Sequence, residues 1–370
     1  MATTAALAAM AVGLWVIHGQ RTRPVAVAVG VDQPLVPGGV IDPSDQHAAA
    51  LFQVEHPGSR IRIVPMVNHP DPTSGPRALE RLRAQGVRLV VTTHTSSHAV
   101  PSLPLFRDGR LLGLNVSATS ARLSGRDDLL LRLIPDLNQE QWAMAGQVAS
   151  WPGTQAPRRL LVIQDTENPL YTGPALVQFQ ASLRRRAPGG WTLTIVRLRV
   201  GAWHPSQLEP VLTQRFDGIV VLAGGFQPAI GSLAQFCGLR QPGVPILLTP
   251  WADGPAIHEA AGEARSQIRQ TRFRPPDQPG SAGARYRERF RQRFGYEPYS
   301  MSLITRQALE LLDQALAAGP DTPLAIKRWL LQRPLHRTSL GEVRFDRYGD
   351  VRGVFRFDRP VRETHLGARP

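Results

Sequence analysis

The sequence predicts an α/β protein built from two doubly wound lobes, each with a parallel β-sheet between helices. From Pro24 onward, short aliphatic runs alternate with amphipathic stretches of helical spacing, as expected of such folds. The alternation begins afresh after Pro135, which indicates a second lobe. A length of 370 residues and a hydrophobic content of 42% are enough for two buried cores.

The first series of elements starts with a strand over residues 25–31, since VAVAVGV is rich in β-branched residues. A helix is expected over 44–55, with Ser44 as its N-cap. The series continues with a strand, a helix that ends at a glycine, and two further strands: IRIVPMV, PRALERLRAQG, VRLVVTT and RLLGLNV.

The second series follows Pro135 and has the same alternation. Predicted helices and strands alternate, beginning with a helix, in the order QEQWAMAGQVASW, RLLVIQD, PALVQFQASLRRR, WTLTIVRLRV, SQLEPVLTQR, FDGIVVLAG, GSLAQFCGL and VPILLTP. Cys237, in the last of these helices, is the only cysteine and is expected to be buried. A single cysteine excludes an internal disulfide and a cysteine-based metal site.

Residues 1–23 contain an apolar run of 13 residues, Ala5 to Ile17, followed by the polar segment HGQRTRP. The run is too short for a membrane-spanning helix and has the length of the core of an export signal. No Lys or Arg precedes it and no clear A-x-A cleavage site follows. A cleaved signal, an uncleaved anchor in the inner membrane and a misplaced start therefore stay open, and we expect a periplasmic protein.

The chain carries a formal net charge of +14, and Lys327 is its only lysine, so the other 42 basic residues are arginines. This composition excludes a phosphate-binding G-x-x-x-x-G-K-[ST] loop and the lysine-dependent kinase signature. Nucleic-acid binding needs basic residues clustered on one surface. The arginines at 285, 287, 289, 291 and 293 would spread around a helix, so we expect no nucleic-acid partner.

Two clusters of small hydroxyl residues follow neighbouring predicted strands: Thr95-Ser96-Ser97 and Ser117-Ala118-Thr119-Ser120. Ligands of open parallel sheets bind outside the carboxyl ends of the strands, where backbone amides are free. These clusters therefore predict a cradle for a small anion such as a carboxylate. The alternative is that the hydroxyls only cap helices, because Ser and Thr are preferred N-caps.

Other chemistry has little support. His94 and His98 are four residues apart, but they form no H-E-x-x-H and have no third ligand, so we expect no metal. The sequence lacks G-x-S-x-G and G-x-G-x-x-G, which disfavours a serine hydrolase and a dinucleotide cofactor. The candidate site has no paired general acid and base, so we do not expect an enzyme.

Four segments resemble a known family. RFRQRFGYEPYS (289–300) is similar to its F-x-x-x-[YF]-G-x-x-P segment, and GEVRFDRYGDVRG (341–353) to its terminal G-x-[IV]-x-F-D-x-x-G-D hairpin. THTSSHAVPSLPLF and NVSATSARLSG match its first-lobe binding loops. The family is the type I periplasmic binding proteins of the Leu/Ile/Val-binding kind, the solute receptors of ABC importers. One departure is Arg306-Gln307-Ala308, where the family usually has Tyr-Asp-Ala.

The resemblance implies how the chain is threaded. Lobe 1 would take residues 25–134 and 275–332, and lobe 2 would take 135–274 and 333–370. Three crossings between the lobes would form a hinge. A ligand would bind in the cleft, and closure of the lobes would be recognised by an ABC permease in the membrane.

The resemblance also implies a binding site. Ser96 falls on the family's carboxylate-binding serine, and Ser117 and Thr119 fall on the second loop that holds the same carboxylate and the ammonium. In lobe 2, Tyr171 and Phe226 fall on aromatic positions that face the ligand. The expected ligand-binding residues are Ser96, Ser97, Ser117, Ala118, Thr119, Tyr171, Phe226, Trp251 and Asp253.

Trp251 is the important mismatch, because amino-acid receptors of the family place there a carboxylate that pairs with the ligand's ammonium. Asp253 is one substitute. Without it, the ligand would be an acid that lacks the amine, or an amide, and Trp251, Phe226 and Tyr171 would suit a flat apolar body. Trp251 could instead only fill the lobe core.

The leading functional hypothesis is a receptor for an amino acid or related carboxylate. A ligand sensor of the same fold that acts on a regulator or signalling partner, and a degenerate receptor without ligand, are the alternatives.

Overall fold

We analysed a computed structural model of the protein. It describes residues 23–32, 43–68, 71, 73–151, 157–224, 228–252, 254–273, 277–353 and 355–357. Three predictions lie outside these ranges: the N-terminal signal or anchor, and the roles of Phe226 and Asp253. No helix in the described ranges has the length and apolar character needed to cross a bilayer.

The first sheet is parallel throughout. Its strands are β1 (Val25–Asp32), β2 (Ile61–Asn68), β3 (Leu89–Thr92), β4 (Leu112–Asn115) and β5 (Leu130–Arg132), in the order β2-β1-β3-β4-β5. The helices of this stretch are α1 (Ser44–Glu55), α2 (Ser74–Ala84) and α3 (Ser96–Ser102). The predicted cap of α1 is wrong: Ser44 is its first residue, and Pro43 at the N-cap position offers no side-chain acceptor.

The second sheet has one antiparallel edge. Its strands are β6 (Arg158–Asp165), β7 (Trp191–Leu198), β8 (Gly218–Leu222), β9 (Ile246–Leu248), β10 (Ile268–Arg272) and β13 (Arg356–Phe357), in the order β13-β10-β9-β8-β6-β7. Only β13 among these runs antiparallel to its neighbour. The helices are α4 (Leu137–Ala149), α5 (Pro169–Arg186), α6 (Glu209–Leu212), α7 (Ala229–Arg240) and α8 (Pro255–Ala260). Cys237 is buried in α7, as predicted.

After β10 the chain returns to the first sheet. The elements there are α9 (Ala282–Phe294), α10 (Ser300–Ala317), α11 (Pro323–Gln332) and a hairpin of β11 (His336–Thr338) and β12 (Gly341–Val343). Apolar residues of α10 and α11 join the core of the first sheet, as do Val343 and Val351. The described chain thus passes between the sheets three times: after β5, after β10 and before β13. The predicted fold class is confirmed, and the predicted lobe boundaries stay predictions.

Arg306 explains how the chain tolerates its departure from Tyr-Asp-Ala. The guanidinium is buried in α10 and pairs with Glu310 at 2.6 Å and with Glu55 of α1 at 2.8 Å. It also lies over the rings of Phe52 and Tyr286. Buried charges are tolerated when they are paired and hydrogen-bonded. At position 306, where the resemblance expects a tyrosine, the chain therefore has an arginine whose ion pair with Glu55 links α10 to α1.

The F-D-x-x-G-D segment (345–350) contacts the chain where it first crosses from one sheet to the other, after β5. Asp346 accepts hydrogen bonds from the amides of Tyr348 and Asp350, which shapes a tight turn. The Asp350 carboxylate then pairs with Nε of Arg132 at 3.0 Å and accepts the amide of Gly125 at 2.7 Å. Arg132 is fully buried at the end of β5. The motif therefore provides the counter-charge for a buried arginine where the chain leaves the first sheet.

Candidate functional site

Asn115 organises the loop that follows β4. Its Oδ1 accepts the amides of Ser117 at 3.1 Å and Ala118 at 2.9 Å, and its Nδ2 donates to the Ala118 carbonyl at 2.7 Å. The amides of Ser117 and Ala118 are therefore engaged inside the loop. The sequence analysis missed this residue, although an asparagine at a strand end commonly folds the following residues in this way.

Ser96 and Ser97 do not cap a helix. Ser96 Oγ accepts the amide of Ser120 at 3.2 Å, which joins the loops after β3 and β4. Ser97 Oγ donates to Oδ1 of Asn168, at the start of α5, at 2.8 Å, which joins the first sheet's loops to the second lobe. Thr95 occupies the N-cap position of α3, but its side chain accepts no capping hydrogen bond from the helix backbone. Of these hydroxyls, Ser120 alone caps a helical turn, the short 3-10 helix that follows it.

Thr119 carries a buried hydroxyl without a partner. The residue is 1% exposed, and among the described residues Oγ1 finds no hydrogen-bond partner. Its carbonyl accepts the amide of Leu137, the first residue of α4, at 2.8 Å. A buried polar group left unpaired costs about 1–3 kcal/mol. Thr119 therefore offers an unused hydrogen-bonding group at the junction of the two lobes.

The two histidines beside the serines are both buried. Burial, together with the nearby His98, lowers the pKa of His94 to about 3, so His94 is neutral at physiological pH. His98 Nδ1 is 2.7 Å from Thr95 Oγ1. No group of three metal-binding side chains occurs within the described residues.

Tyr171 faces a buried acid that the sequence analysis missed. The Tyr171 hydroxyl, in the first turn of α5, donates to Oε1 of Glu140 at 2.6 Å, and Gln141 Nε2 donates to the same oxygen at 2.7 Å. Burial raises the pKa of Glu140 to about 7, against the opposing effect of hydrogen bonds from Tyr171, Trp251 and Gln141. Burial and Glu140 also raise the pKa of Tyr171. Nothing in the sequence of α4 distinguishes Glu140 from a solvent-facing acid.

Trp251 lies between the two hydrophobic cores. It follows β9, is half-buried, and packs against both the first-sheet core and the second-lobe core that contains Tyr171. Its ring centre is 4.6 Å from that of Phe273. A Cβ on Gly224 would overlap the Cβ of Trp251. Gly224 thus makes room for Trp251.

The predicted site residues fall into two groups, one on each lobe. The groups meet where Ser97 contacts Asn168 and where Trp251 contacts the first core. Their roles in ligand binding stay predictions. The first-lobe group is Ser96, Ser97, Ser117, Ala118 and Thr119, and the described second-lobe group is Tyr171 and Trp251.

Comparison with known sequences finds relatives over most of the chain. The chain is 26% identical over 312 residues to the Leu/Ile/Val-binding protein homolog 1 of Brucella abortus. The aligned region covers 79% of this chain and 77% of that protein. No protein-family model matches the sequence.

Comparison with solved structures confirms the fold. The branched-chain amino acid transporter substrate-binding protein LivJ of Streptococcus pneumoniae, solved with isoleucine, superposes with a TM-score of 0.75 at 17% identity, over 90% of this chain and 95% of that one. An ABC-transporter solute-binding protein of R. palustris, solved with benzoate, superposes with a TM-score of 0.76 at 12% identity, over 91% and 93%.

Proposed function

Since this chain is a relative of the Leu/Ile/Val-binding proteins and has the fold of type I periplasmic binding proteins, we propose that it is the solute receptor of an ABC importer. It acts in the periplasm, holds a small carboxylate or amino acid between its lobes, and presents the closed form to a permease. Its role is binding without catalysis.

The unpaired hydroxyl of Thr119, beside the Ser96–Ser120 link, is the observation that carries this proposal. Both lie at the carboxyl ends of parallel strands, where ligands of such sheets bind. Arg132, a buried cation that contacts this loop, is paired with Asp350 and donates to the Ser120 carbonyl at 3.1 Å. Hydroxyl groups, with the Thr119 hydroxyl first among them, therefore hold the ligand's carboxylate in place of a free arginine.

The second lobe supplies the surface for the ligand's apolar part. Trp251 offers a half-buried ring between the lobes, and Tyr171 packs in the core beneath it. Aromatic rings bury a large apolar area and have few rotamers to immobilise. The Ser97–Asn168 hydrogen bond joins the two lobes and favours the conformation in which they touch. A ligand that contacts both groups shifts the population toward this closed state.

A thermal-shift screen of the purified chain tests the proposal. The panel contains the L-amino acids, their deaminated analogues, and benzoate. A compound that binds only the folded protein raises its Tm by mass action. The proposal requires at least one such compound, and a full panel without a shift would contradict it.

The double variant Ser96→Ala/Thr119→Ala tests the site itself. We expect the Kd of the best compound to rise about 100-fold, since each of the two lost hydrogen bonds to a charged group contributes about 1.5 kcal/mol and every 1.4 kcal/mol is a factor of ten. Ser102→Ala is the matched control, because this buried hydroxyl of α3 donates to the His98 carbonyl and serves only the helix. An unchanged Kd in the double variant would remove the proposed site.

A further inference from the structure

We propose that Glu140 recognises the ammonium group of an amino-acid ligand, and that it replaces the acid which the resemblance expects at the position of Trp251. This inference rests on the proposed function and narrows its ligand class. It makes this chain an amino-acid receptor rather than a receptor for acids that lack an amine.

The position of Glu140 places it at the junction of the lobes. α4 starts immediately after the first crossing, and the amide of its first residue, Leu137, donates to the Thr119 carbonyl at 2.8 Å. Glu140 lies three residues further along, which is about 4.5 Å along the helix axis and close to the same face. Glu140 is therefore less than one helical turn along α4 from the residue that contacts the loop with the unpaired Thr119 hydroxyl.

Only one of the two oxygens of the Glu140 carboxyl accepts well-formed hydrogen bonds from the described residues. Oε1 accepts from Tyr171 and Gln141, whereas Oε2 is buried and makes no well-formed hydrogen bond within the described part of the chain. The Trp251 side chain is a third hydrogen-bonding neighbour that lowers the pKa of this carboxyl. Tyr171 thus orients the Glu140 carboxyl, and Oε2 of Glu140 is left without a well-formed hydrogen bond.

The charge around Glu140 favours a cationic donor. Within the described residues, no arginine, lysine or histidine forms an ion pair with Glu140, and Asp136 adds repulsion. A buried carboxylate without a counter-charge is unfavourable, and an ammonium at Oε2 would supply that charge. In the absence of the cation, burial raises the pKa of Glu140 to about 7.

Two unpaired groups, one on each lobe, therefore match the two ends of a zwitterion. Thr119 on the first lobe suits the carboxylate, and Glu140 on the second suits the ammonium. A ligand that connects them spans the junction between the lobes. Benzoate, which the R. palustris protein was solved with, would leave Glu140 without its donor.

Matched pairs of ligands test this inference. Calorimetric titration of the full chain would use leucine with 4-methylpentanoate, valine with 3-methylbutanoate, and phenylalanine with 3-phenylpropanoate, each pair differing only in the amine. We expect Glu140→Gln to weaken the best amino acid about 30-fold or more, since it removes one partner of a buried charge pair. The deaminated partner should bind the variant as it binds the wild type. Asp165→Asn, the same change at another buried acid of the second lobe, should leave the preference for the amine unaltered.

The outcomes separate the inference from the proposed function. If the wild type binds the deaminated acids better than the amino acids, or if Glu140→Gln weakens both equally, Glu140 is not the ammonium partner, while the receptor function stands. If neither kind of compound binds the wild type, the receptor proposal fails as well.

If Glu140→Gln does not fold, ligand titrations of the wild type at different pH values test the same inference. The titratable groups that act on Glu140 are Asp136 and Tyr171. Amino-acid affinity should fall roughly tenfold from pH 8 to pH 6 as Glu140 takes up a proton, and affinity for the deaminated partner should not follow this curve. Identical pH curves for the two ligands would overturn the inference.

Discussion

Replacing Glu140 by Gln should stabilise the ligand-free protein at alkaline pH. The pKa of Glu140 is raised from its ordinary value of 4.5 to about 7 by burial. Between these values the unfolded chain releases the proton while the folded chain keeps it, so rising pH favours unfolding. The penalty is absent below about pH 4.5 and complete above about pH 7. Its full size is ~3 kcal/mol, because each pH unit of displacement corresponds to about 1.4 kcal/mol.

The assay is urea unfolding of both proteins, followed by circular dichroism from pH 4.5 to pH 8. The quantity that matters is the difference in free energy of unfolding between variant and wild type, because contributions from all other groups cancel. We expect this difference to grow by ~3 kcal/mol in favour of the variant as the pH rises. A difference that stays constant across the range would refute the account of Glu140 as a buried carboxyl without a counter-charge.

Asp165 provides a control with a different pH window. Its Oδ1 accepts the amides of Val200 and Glu167, and burial raises its pKa from 3.8 to about 6. The corresponding difference for Asp165→Asn should therefore develop between about pH 4 and pH 6, and it should be complete before that of Glu140→Gln. Two curves with the same midpoint would show that a general property of the fold, and not the individual carboxyls, sets the pH dependence.

Asp350→Ala should lower the free energy of unfolding by about 3–5 kcal/mol, because it leaves the buried Arg132 unpaired. The double variant Arg132→Met/Asp350→Ala should lose less in the same urea titration, and additive losses would contradict the pairing. Gly224→Ala should cost about 1–3 kcal/mol and alter the tryptophan fluorescence, since the new methyl group displaces Trp251. Gly58→Ala, where no atom lies within 4 Å of the added carbon, is its control and should change neither signal.

The sequence was sufficient for most of the fold because the strands are continuous aliphatic runs. β8 and β9 were read from GIVVL and ILL, and both are buried along their length. The helix expected in SQLEPVLTQR is mostly wrong: a 3-10 turn at Pro205–Gln207 leads into the single turn of α6. Pro210 explains this, because in the interior of the longer helix it would lack the amide that the hydrogen-bond ladder needs.

Without the resemblance, the sequence singles out candidate-site residues only where they follow strands. Ser96 and Thr119 belong to hydroxyl clusters after β3 and β4 that stand out in the sequence, and their roles in ligand binding stay predictions. Asn168 and Glu140 were missed because their importance depends on contacts between the lobes, which no local pattern encodes. The departure at Arg306 was visible in the sequence, but its partner Glu55 lies on a different helix and required the structure.

The pairing of Arg132 with Asp350 has a consequence for the order in which the protein assembles during synthesis. The first sheet leaves the ribosome early, but α10 and α11, which complete its core, and Asp350, which neutralises Arg132, are made only about two hundred residues later. The growing chain therefore cannot complete the core of its first sheet until α10 and α11 have been made, and contacts so distant in sequence form slowly. We expect this delay to keep the first sheet incompletely folded while the second is being made. The same delay leaves the aliphatic strands of the first sheet incompletely covered, and apolar segments exposed in this way are prone to aggregate.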